Sequence, residues 1–379
     1  MPSLLDANSR YHRQELITWW DQSKIRNACV LVVGAGALGN EVCKNLALVG
    51  VGSITIVDMD VIEHSNLARC VFFREEHEGS NKAEILAMEI GSLNSEVSAT
   101  SIPMPVQRMG IGSLRSFDLI IGALDNREAR AWVNQASRKL GLYWIDGAIE
   151  GLRGLVRMFG PSGACYSCTL TEDDYRQMSF RKSCALLAPN EILAGKTPTN
   201  ATTASVVAGV QVQEAIKFLV GNLEALSLVG KCWVFTGDTM DSYVTRYAED
   251  EYCLAHDYYE SVVDLPSART LQDLIDQSGP ENGAWEAAID FEEDVISLLP
   301  CKTCGGDFEI KVRSAFKLGE GQCAGCGNER IGEMYTSVLQ SEVDTNRTFV
   351  EFGLGKSEII TIRSGEARQH FVVSGEHHG

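Results

Sequence analysis

The chain has 379 residues, of which 45% are hydrophobic and 22% charged, and a formal net charge of −18. Such a length supports a large core and two domains, and the composition is that of a globular chain, which excludes a disordered or fibrous one. The acidic balance argues against a general nucleic-acid or anionic-membrane surface while leaving room for a local basic pocket.

The opening MPSLLDANSRYHRQ has no basic stretch followed by an apolar core, and no apolar run is long enough to span a bilayer, so a cytoplasmic location is the default expectation. Residues 9–21 are expected to form a helix carrying Arg10, Tyr11, His12, Arg13 and Gln14, a charged face that by itself reads as solvated. A β-branched and apolar run then stops at Gly34, Gly36 and Gly39, the strand, glycine turn and helix start of a nucleotide-binding βαβ unit. Glycines let the backbone approach a phosphate or ribose, and the amides at the helix N-terminus favour an anion. Asp58, nineteen positions after Gly39, fits a ribose-binding acid at the end of the second strand. Dehydrogenases and methyltransferases share that much. The narrowing signal lies further along the chain, where Asp58 and Asp60 lead into Ser65-Asn66-Leu67-Ala68-Arg69, and then to Lys82 in the first turn of a helix over 81–90. An amide and two cations there suit an enzyme that holds a triphosphate and expels pyrophosphate.

A buried strand over 117–123 ends at Leu124-Asp125-Asn126, which places an acid at the crevice where ligands bind in an open α/β sheet. Asp125 also reads as a simple helix cap, and Arg69 and Lys82 as surface cations. A helix over 127–140 and strands over 143–146 and 155–159 come next. Twelve cysteines include three C-x-x-C pairs, Cys165/Cys168, Cys301/Cys304 and Cys323/Cys326, which in a large chain without a signal read as metal sites rather than disulfides. The last two pairs, eighteen residues apart, supply the four ligands of a zinc ribbon.

In order along the chain, RYHRQ, GAGALG, DMD, SNLAR, Lys82, LDNREAR, CYSC and the helix AGVQVQEAIKFL resemble the ThiF/MoeB and ubiquitin-activating-enzyme superfamily, over roughly residues 10–256. That family joins ATP to the C-terminal carboxylate of a ubiquitin-fold protein, making an acyl adenylate and pyrophosphate. The resemblance implies that Gly34, Gly36, Gly39, Asp58 and Asp60 bind the nucleotide. It implies further that Asn66, Arg69 and Lys82 contact the triphosphate, that Asp125 holds Mg2+, and that Arg13 reaches into the partner's site of a homodimer. The chemistry agrees, because two mutually repelling anions must be neutralised and held in line. The family also places a second ligand pair after the next strands, here Cys253 and His256, which with Cys165 and Cys168 makes a second structural Zn2+ site with one histidine.

Between the first cysteine pair and a helix over 203–220 lies a long polar crossover, about 170–200, containing Cys184. Family members that pass the activated protein on as a thioester carry their nucleophile here, and Arg181 and Lys182 would lower the pKa of Cys184. Members that only adenylate keep a cysteine here without a role. The C-terminal third reads as a helix within 266–283, with Thr270 and Asp273 as a capping pair, and strands at 308–312, 335–339, 349–352, 359–362 and 371–373 around the ribbon.

The expected fold is therefore α/β: a Rossmann-like doubly wound adenylation domain with a zinc site over residues 1–264, then a small β-rich zinc-ribbon domain over 265–379. The first expectation for function is activation of a ubiquitin-like protein with thioester formation on Cys184 and transfer to a conjugating enzyme. The alternatives are adenylation of a sulfur-carrier protein without a thioester, and a non-catalytic nucleotide-binding scaffold subunit.

Overall fold

The computed structural model describes residues 8–176, 198–278, 286–298, 301–305, 311–312, 322–328, 330 and 333–374. They form two compact units: one from the described residues of Met1–Val106, Ser116–Leu170 and Gly195–Tyr258, the other from those of Gln107–Arg115, Thr171–Ala194 and Tyr259–Gly379.

The first unit begins with two short helices, α1 (His12–Glu15) and α2 (Gln22–Asn27), where a single helix over 9–21 was expected. Two local anchors break it. Tyr11 is buried, its hydroxyl accepting from Asn94 Nδ2 at 2.9 Å, and Asp21 caps α2 by accepting from the Lys24 amide at 3.2 Å. Strand β1 (Cys29–Val33) then feeds α3 (Ala37–Val49), β2 (Ser53–Val57), α4 (Lys82–Leu93) and β3 (Ser98–Ile102). Strand β4 (Leu119–Gly122), α5 (Arg127–Lys139), β5 (Trp144–Glu150) and β6 (Arg153–Phe159) come next, then α6 (Ala201–Leu219) and the hairpin β7 (Lys231–Thr236) and β8 (Asp241–Arg246).

The eight strands lie in the order β3-β2-β1-β4-β5-β6-β7-β8, parallel as far as β5 and antiparallel beyond it. Uninterrupted apolar runs suit parallel strands covered on both faces, and Val30, Leu31, Val32 and Val33 are all buried. Helices α3 and α6 pack on each other over the sheet and bury Val42, Leu46, Val207 and Ala208. The order reverses between β1 and β4, which opens the crevice at the carboxyl ends of β1, β2 and β4. No helix among the described residues is long and apolar enough to cross a membrane.

The second unit holds β9 (Val262–Asp264), α7 (Leu271–Ser278), β10 (Ala288–Leu298), β11 (Lys311–Val312), β12 (Glu333–Leu339), β13 (Lys356–Ser364) and β14 (Ala367–Ser374). Its sheet runs β11-β10-β13-β14-β9, and β12 also pairs with β10. The capping pair of α7 forms as expected: Thr270 N donates to Asp273 Oδ2 at 2.9 Å and Asp273 N to Thr270 Oγ1 at 3.2 Å.

In the second unit two further features differ from expectation. Residues 349–352 are a turn, not a strand: Phe352 N bonds Thr348 O at 3.2 Å, and Phe349 and Phe352 are both buried, three residues apart as on a helical turn. Strand β10 carries no clear alternation in the sequence because Glu292, Glu293 and Asp294 interrupt it, and the structure places a register shift there, between Asp290 and Val295.

Candidate functional site

The glycine turn is shaped by steric demands that differ from one glycine to the next. Gly34 has φ +103°, and a Cβ there would lie 2.4 Å from the Ala123 carbonyl oxygen at the end of β4; a Cβ on Gly39 would lie 1.9 Å from Gly34 O. Both are required by the fold itself. Gly36 is different: its backbone is extended and a Cβ would meet nothing within 4 Å. The fold does not need a glycine there, and the absence of a Cβ leaves the start of α3 open to close approach by a ligand.

Asp58 closes the turn. Its Oδ2 accepts from Ala35 N at 2.7 Å and its Oδ1 from Asp60 N at 2.8 Å. Burial raises its pKa, and the two amides and the charge of Lys82 partly oppose that rise. Lys82 Nζ donates to Asp60 Oδ2 at 2.9 Å; burial pulls the amine's pKa down, but the bond to Asp60 and the charges of Asp58 and Asp60 outweigh it and the pKa is raised. Lys82 is therefore a firm cation at the edge of the turn. Asn81 sets this arrangement: its Nδ2 donates to Asp58 O and Asp60 O, both at 3.1 Å, while its Oδ1 caps α4 at the amides of Ala83 and Glu84.

Asn66 is buried and accepts from Glu63 N at 2.9 Å, and its carbonyl accepts from Arg69 N and Cys70 N. Asn66 thus shapes the turn that carries Arg69, whose half-buried guanidinium has no hydrogen-bond or ion-pair partner among the described residues. Asp125 is exposed just beyond β4, and the cap of α5 is its neighbour Asn126, which accepts from Ala129 N at 2.8 Å. Capping duty therefore falls on Asn126, whose Nδ2 also donates to Asp125 Oδ1 at 3.3 Å, and not on the Asp125 carboxylate. Arg13 is exposed on α1. The structure thus gathers Gly34, Gly36, Asp58, Asp60 and Lys82 directly, and sets Asp125 at the carboxyl end of the strand adjacent to β1. Cys184 lies outside the described residues.

Two side chains of this site carried no sequence signal of their own. Asn40 donates to Ala35 O at 2.9 Å and Gly36 O at 3.1 Å and accepts from Phe72 N, pinning the glycine turn to the segment after Arg69. Gln211 on α6 donates to Gly122 O at 2.9 Å beneath the crevice. The only hint of either was a polar residue on an otherwise apolar helix face.

Both ligand groups assemble. Cys165 Sγ lies 3.7 Å from the sulfurs of Cys168 and Cys253, and Cys168 Sγ lies 3.2 Å from His256 Nε2. In the second group Cys301 Sγ is 3.3 Å from Cys326 Sγ, and Cys304 Sγ is 3.4 Å from Cys323 Sγ. A tetrahedral ion with bonds of ~2.3 Å to sulfur requires edges of ~3.8 Å, so both sets fit a four-coordinate metal that leaves no position open for chemistry. Asn134 supports the first group, donating to Cys165 Sγ at 3.4 Å and accepting from Tyr166 N at 2.8 Å.

Residues 10–255 match the ThiF family. A SAMP-activating enzyme E1 of Haloferax volcanii is 32% identical over 223 residues, covering 59% of this chain and 78% of that protein. A sulfur carrier protein adenylyltransferase of Thermus thermophilus is 36% identical over 169 residues, 42% of this chain and 62% of its own length. The solved structure of E. coli MccB with ATP shares the fold, with a TM-score of 0.55 and 24% identity over 66% of this chain and 74% of that one. The family match takes in every element that builds the crevice, so the chain belongs to the ThiF family and is an ATP-dependent adenylyltransferase.

Proposed function

We propose that the enzyme activates the terminal carboxylate of a small carrier protein or peptide as its acyl adenylate and that the carrier is of the sulfur-carrier kind. The observation that carries this reading is the open space at Gly36 beside the Asp58 carboxylate, with Lys82 held cationic at its rim. In this reading Asp58, fixed by two amides, accepts from the ribose hydroxyls through its remaining lone pairs, and Asp60, Asn66, Arg69 and Lys82 line the path of the phosphates. Lys82 would exchange Asp60 for phosphate oxygens. A carboxylate oxygen of the carrier attacks the α-phosphorus as the bond to the β-phosphate breaks and pyrophosphate leaves. Asp125 is the residue suited to hold Mg2+, which when bound neutralises phosphate charge. Arg13 would complete the site of a second subunit in a homodimer.

The names of the Thermus protein and of a sulfur carrier protein ThiS adenylyltransferase from Bacillus subtilis, 38% identical over 168 residues, support adenylation of a sulfur carrier as the first reading. Thioester formation on Cys184 and transfer to a conjugating enzyme is the second reading, supported by the Haloferax relative's name and by a ubiquitin-like modifier-activating enzyme 5 from Dictyostelium discoideum, 28% identical over 227 residues. In both readings the two cysteine groups hold structural Zn2+, and the C-terminal β-rich domain docks a protein partner.

The test is carrier-dependent exchange of labelled pyrophosphate into ATP, with a panel of small carrier proteins ending in glycine. Exchange should require a carrier and fall by ~10²–10³ in Lys82→Ala. Exchange that ignores either condition overturns the proposal. A reductant-sensitive carrier complex that is lost in Cys184→Ala would move the assignment to the second reading.

A further inference from the structure

Beneath Asp125 lies a buried charge cluster with one guanidinium more than charge balance needs. Asp146 on β5 is fully inaccessible. Its Oδ2 accepts from Arg157 Nε at 3.0 Å and also from Arg157 Nη2, so both prongs of Arg157 fall on one oxygen and neutralise the charge. Its Oδ1 accepts from Arg130 Nε at 3.0 Å. Both arginines are more than nine-tenths buried.

The two differ in where the rest of the guanidinium goes. Arg157 is stacked against aromatic rings, its Cζ 4.9 Å from the Tyr166 ring centroid and 6.0 Å from that of Phe159. Arg130 Nη2 instead donates to the carbonyls of Leu124 and of Gly147, the latter at 3.2 Å. Leu124 directly precedes Asp125. The turn is therefore fastened on one side by Arg130 at the Leu124 carbonyl and on the other by Asn126, the cap of α5. Burying a second cation carries a desolvation cost that a single Asp–Arg pair would avoid. Arg130 satisfies Oδ1, which Arg157 leaves open, and in addition holds the Leu124 carbonyl, which no helix or strand bond claims.

We propose that Arg130, oriented by Asp146, is a positioning residue that fixes the turn at Leu124 and Asp125 so that the Asp125 carboxylate meets the metal of the nucleotide. This rests on the reading of Asp125 as the Mg2+ ligand. Arg157 serves as the internal control: it shares the same carboxylate and burial but does not touch the turn.

The experiment titrates Mg2+ against binding of a fluorescent N-methylanthraniloyl-ATP in the full chain, alongside thermal melting. Asp125→Asn should raise the half-saturating Mg2+ by at least ~10-fold, Arg130→Met by ~10-fold, and Arg157→Met by less than ~2-fold even though it melts earlier. Arg130→Lys keeps the charge but cannot bridge Asp146 and Leu124 together, so it should behave like Arg130→Met and stands in for it should that variant not fold. A shift in Asp125→Asn with none in either Arg130 variant overturns the positioning role alone. No shift in Asp125→Asn overturns the reading beneath it. Equal shifts in the Arg130 and Arg157 variants mean general loosening, and also overturn the proposal.

Discussion

Asp146 in the first unit and Glu358 in the second are both buried carboxylates, and the two are stabilised in opposite ways. Asp146 in the first unit is fully inaccessible and stays between two guanidiniums. Glu358 in the second unit is only 6% exposed, and burial together with the neighbouring charges of Glu293 and Glu292 pushes its pKa up to about 8. One unit balances a buried charge with counter-charges that also fasten backbone; the other keeps its acid neutral by retaining a proton. The metal-ligand groups repeat the contrast. Cys165 is buried and braced by Asn134 in a unit with a broad core, whereas Cys304 and Cys326 are exposed in a unit whose core is much smaller. The unit that carries the nucleotide crevice is electrostatically closed, and its companion is open to pH and to chelators.

The largest effect is expected of Asp146→Ala, which strands two buried guanidiniums. It should destabilise the first unit by ~3–5 kcal/mol in urea unfolding, whereas a loss below ~1 kcal/mol would mean the pair is not what stabilises it. A strong chelator sharpens the contrast next. Metal should leave the Cys301, Cys304, Cys323 and Cys326 group roughly tenfold sooner than the Cys165 group, because access of solvent governs exchange. Release into a colorimetric dye, with Cys304→Ser assigning the fast phase, checks the order, and simultaneous release would erase the distinction. Taken per pH unit, the smallest effect is the response of Glu358. The native state keeps a proton that the unfolded chain loses near the ordinary glutamate value, so the contribution is complete below about pH 4.5 and is lost as pH rises to about 8. Stability of the second unit should decline across that window by at most ~1.4 kcal/mol per pH unit, and Glu358→Gln should flatten the slope. An unchanged slope in that variant would place the pH response elsewhere.

Much of the crevice was legible in the residues alone because its logic is local. A β-branched run stopping at Gly34, an acid at the end of the next strand and Lys82 in a first helical turn are features of spacing, and backbone sterics give such spacings nearly one geometry. The ligand pairs were legible for the same reason: two cysteines three apart face one point. Features that depended on partners distant in sequence were not. Residues 107–115 join the second unit although strands of the first flank them, the turn at Phe349 is fastened by its amide to the distant Arg269 carbonyl at 2.9 Å, and the helix over 9–21 is divided by Tyr11 reaching Asn94. Asn40, Gln211 and the Arg130, Asp146 and Arg157 cluster lay equally beyond reach. Propensity and periodicity describe a chain's near neighbours, whereas which polar groups meet once water has been excluded is decided by packing, and only the assembled fold brings those groups together.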